Sequence, residues 1–280
     1  MMHDAVLRPW APDDLPALKA LWRIGFGDGD DVIDAFHNTF LVPGSCIAAE
    51  ADGRLVSAMY ILMGQRLTTD RRQSLSAGYA YALATLPEYR GRGIGTAVYR
   101  ACCDKILESA DIACVLPAGA PLYPLYEAAG AFPVSYVREA HLSRAEVADA
   151  PSSLAARFSP LEYARTRESF LSGLPHASFG AEFFEYMEET GTEFFALENG
   201  LAAIDIADGV CYIRELLVPG PDVMRCIGAL ARWCRAEEYT VNTPVFFDGP
   251  GEIRPHVLGI TNTPQQRPIP DDFWWGLGLE

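Results

Sequence analysis

Residues 86–103 read LPEYRGRGIGTAVYRACC, and six of those positions hold Arg90, Gly91, Arg92, Gly93, Ile94 and Gly95. Past the glycines, Ile94, Ala97, Val98, Ala101, Cys102 and Ile106 recur at helical spacing. Arg100, Asp104, Lys105 and Glu108 fall off that stripe, so the pattern predicts a helix packed against a partner. The apolar run 77–85 in front of it reads as a strand. Strand, glycine-rich turn and helix start together make an anion-binding corner. The first N–H groups of a helix have no intrahelical acceptor and carry partial positive charge. Glycine keeps side chains out of the way and tolerates positive φ, and two guanidinium groups add full charge. The plainer alternative is a tight connection with incidental arginines. A Walker loop requires Gly-Lys-Ser/Thr, which the chain lacks. A dinucleotide fingerprint requires Gly-x-Gly-x-x-Gly directly after its strand, whereas here Pro87–Arg90 intervene and the spacing is Gly91-x-Gly93-x-Gly95.

The rest of the chain bounds what such a corner serves. Its 280 residues suffice for two ordinary domains, and half are hydrophobic, as in a folded globular protein. A formal net charge of −15 argues against a nucleic-acid binder, which needs a basic face. Acidity of this kind serves solubility and also suits a cationic small substrate. The N-terminus lacks the apolar core of a signal peptide. The longest uncharged runs, Gln73–Pro87 and Ile112–Tyr126, are too short to span a membrane. Seven cysteines without a Cys-x-x-Cys pair read as small buried hydrophobes of a reducing cytoplasm rather than a metal site.

Two halves share one plan. Residues 5–9 read as a strand, Pro12-Asp13-Asp14 opens a helix carrying Leu15, Leu18, Leu21 and Trp22, and strands 46–50 and 55–62 meet at Asp52-Gly53. A strand at 112–116, a short helix at 122–129 and a strand or two over 134–142 complete the first half. Ser159-Pro160-Leu161-Glu162 then has the capping-box pattern. Pro12 and Pro160, Glu50 and Glu198, and Gly53 and Gly200 keep a nearly constant separation, the mark of an internal duplication. Strand 211–217, helix 222–236 and strand 241–246 follow, with ELLVPGPDVM in place of the glycine-rich corner. The reading is an α/β (α+β) fold: a mixed central sheet with flanking helices, followed by a degenerate second lobe. Its domains are 1–145 and 153–280, joined through the Ala-, Asp- and Ser-rich stretch 145–153.

ALATLPEYRGRGIGTAVY (82–99) resembles the cofactor-binding segment of the GNAT superfamily of acyl-CoA-dependent N-acyltransferases. Its Arg/Gln-x-x-Gly-x-Gly/Ala signature is matched by Arg90 through Gly95. Leu125 through Phe132 resembles the family's Tyr-Glu-x-x-Gly-Phe element with one residue inserted before the phenylalanine. The resemblance implies that backbone N–H groups from Gly91 to Thr96, with Arg90 and Arg92 alongside, cradle the pyrophosphate of acetyl-CoA. The strand end Leu83, Ala84 and Thr85 would pair with the pantetheine arm, and Ile112–Leu116 would form the opposite wall. The two-lobed plan further resembles the enhanced-intracellular-survival-type acetyltransferases, without room for their third domain.

Acyl transfer to an amine requires a neutral amine, donors for the developing oxyanion and a proton for the leaving thiolate. The resemblance puts a backbone N–H near Ala84 or Thr85 in the donor role and Tyr126 in that of general acid, with Tyr123 as the spare. An unperturbed phenol near 10 suits a departing thiol. The base is not evident: 74–85 holds no carboxylate, and His37 and His141 read better as packed histidines. In the survival-type enzymes the terminal carboxylate serves, which here would be Glu280, after Phe273-Trp274-Trp275 dock the tail. The acceptor is expected near 15–40, where Asp28, Asp30, Asp31 and Asp34 cluster. The resulting reading is an acetyltransferase acting on a small-molecule amine, with neither nucleic acid nor membrane as partner and homo-oligomerisation left open. The rival is a coenzyme A-binding sensor or scaffold without turnover, and a more distant one is a nucleotide-dependent oxidoreductase.

Overall fold

Alternating small apolar residues in the first half build a long hairpin. Strands β1 (Val6–Pro9), β2 (Cys46–Ala51) and β3 (Arg54–Thr68) run antiparallel in order. The turn between β2 and β3 places Asp52 and Gly53 at φ of 53° and 72°, the left-handed pair that a two-residue hairpin requires. Helices α1 (Leu15–Phe26) and α2 (Asp30–Phe40) lie between β1 and β2, burying Leu18, Leu21, Trp22, Ile33 and Phe36. Then come β4 (Ser74–Thr85), α3 (Ile94–Leu107), β5 (Ile112–Val115), α4 (Tyr123–Ala128), β6 (Phe132–Ser143) and the short α5 (Arg144–Ala148). On α3 the predicted stripe is buried at Ile94, Val98, Cys102 and Ile106, and Tyr99 and Cys103 join it.

The second half repeats the order: β7 (Ala155–Phe158), α6 (Pro160–Phe170), β8 (His176–Ser178), α7 (Ala181–Glu189), β9 (Glu193–Leu197), β10 (Gly200–Ala207), β11 (Val210–Leu217), α8 (Val223–Leu230), β12 (Glu238–Thr243) and β13 (Glu252–Thr261). In this computed structural model the described residues are 5–69, 74–148, 155–262 and 269–279. Part of the expected linker, 149–154, therefore lies outside them. The capping box forms, with Ser159 N–H donating to Glu162 Oε2 at 3.0 Å and Glu162 N–H to Ser159 Oγ at 3.4 Å. Helix α8 is shorter than the sequence predicts because its last turn tightens into three-residue bonds, Arg232 to Ala229 and Trp233 to Leu230.

Among the described residues the strands form one sheet in the order β1-β2-β3-β4-β5-β13-β6-β12-β11-β10-β9-β7, with β8 added to β3. The halves exchange strands at its centre. From the C-terminal half, β13 runs antiparallel to β5, Leu258 facing Val115. From the N-terminal half, β6 runs antiparallel to β12, Ala140 facing Val241. Strands β6 and β13 pair with each other. Parallel pairing occurs once in each half, β4 with β5 and β11 with β12. One core spans both halves on the face covered by α1, α2, α6, α7 and the tail. On the other face α3 covers the first half and α8 the second.

The tail 273–279 runs through that shared core, with Phe273, Trp274, Trp275 and Leu277 each 0 % exposed. A buried polar cluster receives it. Arg167 on α6 grips Glu215 on β11 with both arms, Nε to Oε2 at 2.8 Å and Nη2 to Oε1 at 3.0 Å, neither side chain being exposed. Glu215 also accepts from Tyr163 Oη at 2.8 Å and from Trp274 Nε1 at 2.7 Å. Arg167 donates further to the carbonyls of Ala177 and Trp275. Gly276 follows at φ 79°, where a Cβ would lie 2.2 Å from Glu215 Oε1. A buried charge without its partner is far more costly than the pair. Arg167→Ala should therefore lower unfolding free energy by about 3–5 kcal/mol in urea titration; a loss below about 1 kcal/mol would show that the pair does not hold the tail.

Candidate active site

The corner at 90–96 is open where a ligand would approach. Gly91 and Gly93 sit at φ of 72° and 79°, and a Cβ on either would meet nothing within 4 Å. Gly93 caps α3 without any side-chain hydrogen bond, so the N–H groups of Ile94, Gly95 and Thr96 face outward from the first turn. Gly95 differs from the other two: it is small because the helix presses on β4, its Cβ position lying 3.2 Å from Thr85 Oγ1. The two arginines are partly committed. Arg90 Nε donates to the Thr85 carbonyl at 2.9 Å, tying the corner to the strand end, and the Arg92 guanidinium lies 5.0 Å from the Tyr89 ring centroid.

Beside the corner the sheet comes apart. Pairing of β4 with β5 ends at Tyr79 opposite Cys114, so from Ala80 to Thr85 the β5-facing edge of β4 carries main-chain groups with no strand against them. The β3–β4 register shifts at the same place, Ala58 facing Ala84 but Tyr60 facing Tyr81. Ala82 and Leu83 thus oppose Met59 alone, and Ala82 takes φ 53°. A left-handed alanine inside a strand costs about 1–2 kcal/mol and re-aims the main chain on either side. Nothing in the apolar run 77–85 announces this bulge, because neither glycine nor asparagine marks it.

Three cavities follow the opening in sequence. The first, about 630 Å³, lies between Gly91–Thr96, the strand end Leu83–Thr85 and Phe26. The second, about 170 Å³, lies in the gap itself, between Ala82 and Leu83 on one side and Val115 and Leu116 on the other, with Tyr126 in its wall. The third, about 160 Å³, lies between the halves and is lined by Asp28, Tyr81, Tyr186, Asp205, Arg214 and Leu279 among others. Neighbouring cavities share walls: Phe26, Leu83, Ala118 and Leu122 join the first to the second, and Asp28, Tyr81 and Leu279 join the second to the third.

Tyr126 is 5 % exposed and packs edge-on against Tyr99 at 4.7 Å between ring centroids. Burial pushes its phenol up to about 12, away from the value near 10 that the sequence alone suggests, so it stays protonated across the neutral range. Tyr123, the spare, is a strut: its Oη donates to the Pro255 carbonyl at 2.8 Å and so ties α4 to β13. His37 is packed beside Trp22 with Nε2 2.8 Å from Tyr60 Oη, and burial holds it neutral by lowering it to about 4. His141 on β6 pairs with Glu139 of the same strand and Thr240 of β12 and, like His37, lines none of the three cavities. Glu280 lies outside the described residues; Leu279, to which it is bonded, reaches the second and third cavities and accepts at its carbonyl from Tyr79 Oη at 3.1 Å. Of the four aspartates at 28–34, Asp28 alone lines any of these cavities, the second and the third; Asp30 pairs with Arg23 and Asp34 with Lys19.

The equivalent corner of the second half is built differently. Pro219-Gly220-Pro221-Asp222 leads into α8, and the Asp222 carboxylate, which makes no bond to the helix N–H groups, accepts from Asn199 Nδ2 at 3.0 Å and pairs with Arg225, putting negative charge beside the helix start. No helix among the described residues is long and apolar enough to cross a membrane.

The family profile for the acetyltransferase (GNAT) domain matches residues 6–131, which contain the corner, the bulge and Tyr126. No curated protein matches the sequence. Among solved structures, the chain is similar to a GCN5-related N-acetyltransferase from Kribbella flavida (15 % identity, 93 % of this chain and 71 % of that one, TM-score 0.65). It is likewise similar to Eis1 from Mycobacterium abscessus (12 %, 91 % and 73 %, TM-score 0.63). A putative acetyltransferase from Pyrococcus horikoshii is covered most evenly (14 %, 98 % and 94 %, TM-score 0.63). At these identities the structures establish the fold. The profile match on residues 6–131, which hold the open corner, makes that part of the chain similar to the GNAT acetyltransferase domain.

Proposed function

We propose that this protein moves an acetyl group from acetyl-CoA to the primary amine of a small cationic acceptor, by direct attack in the cleft between β4 and β5. The observation that carries this reading is the adjacency of the three cavities, whose shared lining residues run from an anion-ready helix start past the gap beside Tyr126 to a carboxylate-bearing pocket. The corner fits a pyrophosphate: the space beside Gly91 and Gly93 is open, and the outward N–H groups of Ile94, Gly95 and Thr96 match an anion. Arg90 and Arg92 add positive charge at its rim. The unpaired edge of Leu83–Thr85 suits an extended pantetheine amide chain, whose own donors and acceptors would complete it as a strand does.

When bound, acetyl-CoA supplies an acyl thioester whose C–S bond breaks as the C–N bond forms, the amine nitrogen losing one proton and the sulfur gaining one. Main-chain N–H groups re-aimed by the Ala82 bulge would donate to the carbonyl oxygen as it gains charge. Tyr126, protonated and enclosed with Leu83 and Leu116, would give its proton to the sulfur. Its raised phenol makes it a weaker donor in water. Inside the same apolar enclosure the thiolate is destabilised too, so the two remain matched. For the amine's proton, Glu280 offers a carboxylate one bond beyond Leu279, with solvent as the alternative carrier.

Gly93→Asp should abolish acetyl-CoA binding by calorimetry while leaving the urea midpoint nearly unchanged. Aspartate tolerates left-handed φ better than most residues, yet its carboxylate would stand in the anion's place; intact affinity would remove the corner from the site. Tyr126→Phe should cut kcat about a hundredfold with the KM for acetyl-CoA unchanged, and a fully active variant would end the acid role. Trp274 and Trp275 are core residues, so removing the whole tail would unfold the protein. Deleting Glu280 would leave Leu279 with a main-chain carboxylate in nearly the same place, so the informative change is Glu280→Gln with the main-chain carboxylate of that residue amidated: a kcat decrease that shifts the pH–rate profile supports a carboxylate base there, and unaltered turnover hands the proton to solvent.

A further inference from the structure

We infer that the acceptor is a compact primary amine bearing one positive charge and a single ring-sized apolar body, not a polycation; the inference rests on the acyl-transfer reading above and names its substrate class. Three observations on the third cavity carry it. The first is size. At about 160 Å³, it compares with the roughly 150 Å³ cavity that holds one benzene, so one six-membered ring fills it and a multi-ring body does not. The limit is built in, because α7 seats against α2 through Tyr186, whose ring lies 5.7 Å from that of Phe36 and 5.4 Å from that of Phe40.

The second observation is charge. Asp205 is consumed: Thr192 Oγ1 donates to its Oδ1 at 2.6 Å and Arg214 Nε to its Oδ2 at 2.7 Å. Among the described residues Asp28 has no cationic partner, its Oδ2 accepting from the neutral Trp22 Nε1 at 2.7 Å. Of the described carboxylates lining the cavity, Asp28 is therefore the one left to answer an ammonium; Glu280, outside the described residues, is assigned above to the proton of the reacting amine, and a second ammonium would lose its hydration with no described counter-charge.

The third observation is direction. Asp28, Tyr81 and Leu279 form the wall shared with the second cavity, so an ammonium held by Asp28 stands at the junction facing Ala82, Leu83 and Tyr126. The ring then points the other way, toward Val32, Tyr186 and Met187. The Tyr81 and Tyr186 rings add favourable faces for a cation and for an aromatic body.

The test compares 2-phenylethylamine with spermine as acceptors for acetyl-CoA, following thiol release, and measures amine binding to the coenzyme A-saturated protein by calorimetry. The inference expects kcat/KM at least tenfold higher for 2-phenylethylamine. Asp28→Asn keeps an acceptor for Trp22 Nε1 but removes the charge; it should raise the KM for 2-phenylethylamine about tenfold and leave that for acetyl-CoA unchanged. Preference for spermine, or an unaltered amine KM in Asp28→Asn, overturns the inference while acyl transfer stands. Binding of 2-phenylethylamine that is weakened in Asp28→Asn, with no amine turned over, sustains the pocket assignment and removes the transfer reading instead.

Discussion

The fully buried grip of Arg167 on Glu215 is the constraint around which the molecule closes. Neither charge reaches solvent, and the bonds that satisfy them are drawn from three places: Tyr163 on the same helix, Ala177 on β8, and Trp274 and Trp275 in the tail. A guanidinium and a carboxylate so enclosed tolerate little displacement, because each lost bond leaves a desolvated polar group. The tail is thereby fixed in register, and Leu279 is delivered to the wall between two cavities more than a hundred positions away in sequence from Asp28 and Tyr81. The second half lines the third cavity through this anchoring and through α7, even though its own helix start carries Asp222 in place of the glycines.

The opening between β4 and β5 has a complementary origin. A parallel pair that stopped at Tyr79 and simply frayed would expose two raw edges. Here β5 is held on its other side by β13, and β4 by β3, so the gap is a rigid notch. The bulge at Ala82 stores strain at that notch, where backbone donors are wanted. Rigid walls and re-aimed amides are the arrangement that lets fixed dipoles work on developing charge without reorganising.

How much of this was legible in the chain follows from how local each feature is. The corner at 90–96 could be read because anion binding by a helix start needs only neighbouring residues, and the α3 stripe because helical burial is periodic. The capping box at Ser159 and Glu162 was visible for the same reason. The bulge was not, since an alanine run gives no sign of a left-handed residue imposed by strand pairing. Nor was the exchange of β6 and β13, because the sequence reading has no strand beyond 241–246 and the partner of β13 is chosen by the whole fold. The resemblance ranks Tyr126 above Tyr123, whereas helical spacing alone puts both on one face; the carbonyl of Pro255 marks Tyr123 as a strut and leaves Tyr126 lining the gap. Asp28 stood unresolved among four aspartates until Arg23 and Lys19 claimed two of them and the cavity selected it.

The strand exchange also orders events during synthesis. While the chain is emerging, β5 has β4 but no outer neighbour, and that neighbour, residues 252–261, is made only after the whole of β6 to β12. Domains that fold as they leave the ribosome usually finish their N-terminal part first. Here the N-terminal half must wait with one flank of its sheet uncovered, and the contacts that cover it join distant parts of the chain, a combination that slows folding and exposes the nascent protein to aggregation. Fusion of two such halves into one polypeptide offsets part of that hazard, because the missing strand is always supplied in cis and at a one-to-one ratio.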